Sequence, residues 1–243
     1  MQIEFEREKI LSFFMALKEQ ADEGFLVIKD NKLSFSAKDG ANVCFLDATF
    51  NTPTTEEMTL AIDCQKFYST VNAMKTKMIA ITFGDRCHVK GGKIERDIVS
   101  LADAAVTKLK PLPPFDFPVW LEVPSIDFVE IIEAIDKIGA EEGALPQRLD
   151  LEYDKNKFVV HATNELKETT KSEFDLISTD KGAGSKHRAG FGFPYVLKIA
   201  KIIKKNKCEN MKIKIGTDYP CEIQVSNEIL SLTWKVAPRV EED

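Results

Sequence analysis

The chain has 243 residues, 44% of them hydrophobic and 30% charged, which is room for one or two domains. That composition excludes a disordered, collagen-like or disulfide-scaffold chain, and no apolar run approaches the ~20 residues of a membrane helix. The net charge of −6, from 33 Lys+Arg and 39 Asp+Glu, argues against a uniformly basic nucleic-acid binder but leaves room for a local basic patch.

The first predicted element is a short strand over Gln2–Glu6. Its acidic alternation is not that of a signal peptide, so the protein is expected to stay in the compartment where it is made. A helix over Glu8–Ala21 follows, because Ile10, Phe13, Phe14, Leu17 and Ala21 recur at helical spacing. A polar turn at Lys29–Lys32 leads into an alternating strand, and a longer strand spans Asn42–Phe50. A second helix covers Lys66–Met74. Strands at Ile79–Asp85 and Lys93–Leu101 close this half.

Four of the ten prolines then fall at Pro111, Pro113, Pro114 and Pro118. Proline fixes φ and lacks a donor, so residues 107–118 read as an extended connector. The expected division is 1–106, connector 107–118, and 119–243.

The second half repeats the first. A strand over Val119–Val123 leads into a helix from Ser125, a plausible N-cap, to Ile138, with Gly139 ending it. A hairpin at Tyr153–Ala162 and a strand over Leu166–Ile177 come next. Four glycines within Ser178–Gly192 predict a mobile loop. A helix over Tyr195–Lys205 and strands at Ile213–Asp218 and Glu228–Val236 finish the copy. Matched elements in the same order predict an α+β fold of two similar repeats, each with two helices packed on antiparallel sheets.

Motifs for catalysis and metal binding are missing. His88, His161 and His187 form no metal-ligand pattern, and Cys44, Cys64, Cys87, Cys208 and Cys221 have no zinc-finger spacing. The cysteines read as reduced, mostly buried thiols. Gly182-Ala183-Gly184-Ser185-Lys186 only superficially resembles a phosphate loop. No catalytic residue, metal or cofactor is expected.

The last helix carries the sharpest signal. Lys198, Lys201 and Lys205 share one face at i, i+3, i+7, with Lys204 beside them, while Val196, Ile199, Ile202 and Ile203 take the buried side. Like charges on one face repel, and phosphates would relieve that repulsion. Lysine suits sequence-neutral phosphate contact. Lys18, Lys66, Lys75 and Lys77 are weaker additions.

Four further stretches stand out: Ile215-Gly216-Thr217-Asp218-Tyr219-Pro220; Leu232-Thr233-Trp234-Lys235-Val236-Ala237-Pro238-Arg239-Val240-Glu241-Glu242; Ala16-Leu17-Lys18 with Asp22-Glu23; and Ala37-Lys38-Asp39 with Val43. Together they resemble the proliferating cell nuclear antigen (PCNA) family of DNA sliding clamps, in its archaeal form. The first is similar to that family's Gly-x-Asp-x-Pro turn, the second to its terminal Ala-Pro-(Arg/Lys) ending, and the last two to motifs near its N-terminus. The resemblance covers essentially the whole chain.

That resemblance implies a processivity factor encircling duplex DNA as a ring-shaped trimer. Subunits would be joined through Lys93–Leu101 of one chain and Leu166–Ile177 of the next, and an ATP-driven clamp loader would open the ring. It also implies partners, DNA polymerase among them, that insert a peptide plug near Val43, Phe45, Leu109, Leu112, Phe115, Phe117, Pro220, Val236, Ala237 and Pro238. The expected location is cytoplasmic, at the nucleoid, or nuclear in a eukaryote. Lys38 and Lys235 depart from the family pattern, and the third helix is acidic at Asp127, Glu130, Glu133 and Asp136. That acidity motivates the alternative of a specialised subunit in a heterotrimeric or checkpoint-type clamp. A small α+β enzyme, supported only by His161 and the glycine-rich stretch, is the other alternative.

Overall fold

Apolar side chains at strand or helix spacing account for most elements of the computed structural model, which describes residues 1–110 and 112–239. Pro111 of the connector and the closing Val240–Glu242 of the terminal motif lie outside the described residues. The chain forms two units, Met1–Leu112 with Glu228–Leu232, and Pro113–Asn227 with the stretch from Thr233 onward.

In the first unit, β1 (Gln2–Glu6) alternates exposed and buried residues and leads directly into α1 (Arg7–Gln20). Then come β2 (Glu23–Lys29), β3 (Lys32–Lys38), β4 (Cys44–Asn51) and β5 (Met58–Asp63). Next are α2 (Cys64–Ala73), β6 (Met78–Thr82), β7 (Arg86–Gly91) and β8 (Ile94–Val99). Asp63 caps α2, its carboxylate accepting from Lys66 N–H at 2.9 Å. All strand pairs are antiparallel, in the orders β1-β6-β7-β8 and β4-β3-β2-β5. Both helices pack on these sheets, over a core rich in phenylalanine. Phe14 and Phe67 join α1 to α2 as a stack with centroids 5.1 Å apart. Gly24 is needed in mid-strand, because a Cβ there would stand 2.4 Å from the Phe35 ring.

The second unit opens with β9 (Val119–Pro124), α3 (Ser125–Glu142), β10 (Arg148–Asp154), β11 (Lys157–Thr163) and β12 (Thr169–Phe174). It continues with β13 (Ser178–Lys181), β14 (Lys186–Gly192), α4 (Phe193–Asn206), β15 (Asn210–Ile215), β16 (Cys221–Ser226) and β17 (Leu230–Val236). The first three residues of β17 group with the first unit. One sheet runs β12-β11-β10-β14, and β13, β9, β15, β16 and β17 are neighbours in that order in another. Both α3 and α4 contact these sheets.

Three expectations need correction. Ser178–Gly192 is not a loop but two strands, β13 and β14, joined by a turn in which Gly182 and Gly184 have φ of +86° and +81°. The other glycines serve β14 itself: at Gly190 a Cβ would stand 2.4 Å from Nε of Arg148. Helix α3 also runs through Gly139, where a Cβ would meet Pro146 at 2.7 Å, and stops at left-handed Gly143, φ +67°. Ser125 is the first helical residue, not a cap, and its hydroxyl donates to the Cys208 carbonyl.

Candidate functional surfaces

The eight predicted DNA-facing lysines lie on or just after helices, in two electrostatic settings. Four are engaged. Lys18 Nζ sits 4.3 Å over the Tyr68 ring and 2.9 Å from Glu19. Lys66 is 3.0 Å from Asp63. Lys201 and Lys204 pair with Asp136 at 3.8 Å and Glu133 at 2.7 Å. The other four, Lys75, Lys77, Lys198 and Lys205, make no ion pair among the described residues; Lys198 is half-buried and the rest are exposed. Periodicity placed the α4 face correctly, with Val196, Ile199, Ile202 and Ile203 buried. What local sequence did not reveal is that the acidic α3 supplies the partners.

The residues expected to receive a peptide fall on both units. In the first, the Asp39 carboxylate accepts from the N–H groups of Val43 and Cys44, both at 2.7 Å, fixing the turn before β4. Val43 and Phe45 are half-buried there, and Leu112 is 40% exposed. Leu109 lines a cavity of about 580 Å³ between residues 103–109 and the outward side chains of β2, β3 and β5. Phe25, Val27 and Val106 give it apolar walls, and Lys108 Nζ lies 5.7 Å from the Phe25 ring centroid. Sequence reading missed this floor. Its signal was present: Phe25 and Val27 alternate with Gly24, Leu26 and Ile28, which are buried on the other side of β2.

In the second unit, Phe115, Phe117 and Tyr219 form a row with centroid spacings of 5.9 and 6.3 Å. Tyr219 is 40% exposed, whereas Phe117 at 2% and Val236 at 0% belong to the core and present little surface to a partner. Pro220, Ala237 and Pro238 are half-buried beside solvent.

The two features behind the enzyme alternative have structural explanations. His161 belongs to a charged lattice on the outer face of β10, β11 and β14, with Nε2 3.3 Å from Glu152. The same lattice holds the buried Asp150 carboxylate between Arg148 Nε at 2.7 Å and Arg188 at 2.9 Å. The glycine-rich stretch is the β13–β14 turn and strand. All five cysteines are buried, and burial raises the Cys208 thiol to about 11. Among the described residues no group of His, Cys, Asp and Glu is arranged to hold a metal ion, and no helix is long and apolar enough to cross a membrane.

No protein-family model matches the chain. A DNA polymerase sliding clamp of Methanothrix thermoacetophila is 27% identical over 147 residues, 60% of this chain and 56% of that one. A DNA polymerase sliding clamp of Methanococcus maripaludis is 23% identical over 241 residues, covering 90% of this chain and 91% of that one. The fold matches A. fulgidus PCNA, solved with the C-terminal region of FEN-1, at TM-score 0.85 and 19% identity over 100% of this chain and 99% of that one. It matches a chain of the PCNA2–PCNA3 complex of Sulfolobus tokodaii at TM-score 0.81 and 17% identity, over 99% and 100%. Most of the chain thus aligns with one DNA polymerase sliding clamp at 23% identity, and its whole length shares the fold of a solved PCNA chain.

Proposed function

We propose that three chains close head to tail into a ring around duplex DNA, and that this ring holds a polymerase and other replication and repair proteins on their template. The observation that carries the ring is the pair of open sheet edges. β8 ends one sheet of the first unit, and β12 ends one sheet of the second. An unpaired edge is a template for another strand, and exposed apolar side chains cluster beside both. Ile94 and Val99 on β8 are 47% and 60% exposed, and Leu166 and Ile177, flanking β12, are 71% and 50% exposed. Charge is also suited to pairing. Glu95 and Asp97 lie on β8, with the Glu95 carboxyl held below its ordinary range by Lys90, and Lys171 on β12 makes no ion pair among the described residues. Heterologous contacts of this kind close into a ring when the rotation between neighbours divides the circle.

Within the ring, the helix lysines would face phosphates without reading sequence. The Phe115–Tyr219 row, with Pro238, would take an apolar plug from partner peptides; A. fulgidus PCNA is bound by the C-terminal region of FEN-1. A clamp loader would open the ring. The protein would act where the genome lies, at the nucleoid or in a nucleus.

A second reading, a ring of unlike subunits, is favoured by the acidic α3 and by the fold shared with a PCNA2–PCNA3 complex. Light scattering on the purified chain separates the two. A mass three times 27.4 kDa supports the homotrimer. A monomer that assembles only with a second clamp chain supports the unlike ring, and a monomer that joins neither overturns both.

A further inference from the structure

Helices α3 and α4 pack against each other and carry opposite charge. Helix α3 has six carboxylates and a single lysine; α4 has four lysines and no acid. Glu133 lies 2.7 and 3.0 Å from Lys204 Nζ through its two oxygens, and Asp136 lies 3.8 Å from Lys201. Lys198 and Lys205 are left without an ion pair among the described residues. Over the four helices, nine basic side chains stand against eight acidic ones.

We propose that Glu133 and Asp136 set the grip of this clamp on duplex DNA by competing with phosphate for Lys201 and Lys204. The proposal rests on the DNA-encircling reading above and assigns a role to carboxylates that the reading alone leaves unexplained. The side chains of both acids are about a third exposed. Ion pairs of that exposure contribute little to stability, so their weight falls on the local field. A lysine already neutralised by its neighbour releases no counter-ion from DNA when it meets phosphate. If the pair opens instead, the freed carboxylate stands close to the incoming phosphate and repels it. Lys198 and Lys205 therefore carry the contact on this unit, and Lys201 and Lys204 are held in check. The result is a weak, shallow grip suited to sliding.

The test measures binding of the purified protein to a short linear duplex with free ends, by fluorescence anisotropy, across a salt series. Each phosphate neutralised adds about 0.9 to the slope of log affinity against log salt. The double variant Glu133→Gln/Asp136→Asn should steepen the slope by about 1.8 for each chain in contact with the duplex, an additional loss of about 12-fold per contacting chain between about 50 and 200 mM salt. Lys198→Ala/Lys205→Ala should make it shallower by about the same amount, and Lys201→Ala/Lys204→Ala should leave it nearly unchanged. Equal losses from the two lysine pairs, or an unaltered slope in the carboxylate variant, would overturn the proposal alone. Absence of duplex binding by the wild type at every salt concentration would overturn it together with the clamp reading.

Discussion

Replacing Ile94 and Val99 with alanine tests the ring at its edge. The two side chains are 47% and 60% exposed in the single chain, so about half of each remains to be covered by a neighbour. Full burial of such a side chain contributes about 1.5–3 kcal/mol, so the pair should contribute about 2 kcal/mol at each junction. A chain leaving a closed ring of three breaks two junctions and would forfeit about 4 kcal/mol, about a thousandfold in the dissociation constant. Light scattering or sedimentation over a dilution series reads this as a shift of the dissociation midpoint to higher concentration. Circular dichroism should stay unchanged, because the removed atoms contribute little to packing within their own chain. A midpoint identical to that of the wild type would refute the use of β8 as a subunit edge.

Three further outcomes follow from local structure. Arg7 is 8% exposed, and its guanidinium donates to the carbonyls of Val71 at 3.2 Å and Asn72 at 2.9 Å at the end of α2. Arg7→Met should therefore cost about 1.5–3 kcal/mol, read as a melting temperature lowered by roughly 3–12 °C; an unchanged melting curve contradicts this. On the proposed docking of partner peptides, Tyr219→Ala should weaken binding of a FEN-1 C-terminal peptide by about tenfold without altering the oligomer, and undiminished titration would remove that surface from the proposal. Burial lifts Cys208 from 9.0 to about 11, so the folded state favours the protonated thiol. The stability gained from this is whole below pH 9.0 and is lost as pH rises towards about 11. At pH 8 a maleimide should label none of the five buried thiols of the native protein and all five after denaturation; rapid native labelling would contradict their burial.

The elements most legible in the sequence are those whose burial follows a simple period. Val196, Ile199, Ile202 and Ile203 announce α4, and the alternation of Ile3 and Phe5 announces β1. Glycine misled where its cause was distant in sequence. Gly190 is bare because Arg148 lies over it, and Gly139 because Pro146 does. Neither neighbour is visible to a local pattern, so β14 read as part of a loop and α3 read as four residues shorter than it is. The acidic face of α3 was legible as charge but not as partnership, since Glu133 and Lys204 are 71 positions apart. Among the residues expected to dock a peptide, the motifs could not separate half-buried Pro220 and Pro238 from buried Phe117 and Val236. That distinction comes from packing around the Phe115–Tyr219 row.

Encirclement itself is tested most directly by topology. A linear duplex anchored to a bead at one end admits a ring over its other end, which is then left open or closed with a bulky block before washing at high salt. Salt removes counter-ion-driven contacts but cannot remove a closed collar from a blocked thread. The protein should be retained on the blocked duplex and lost from the open one; equal loss from both would contradict the claim that this chain forms a ring around DNA.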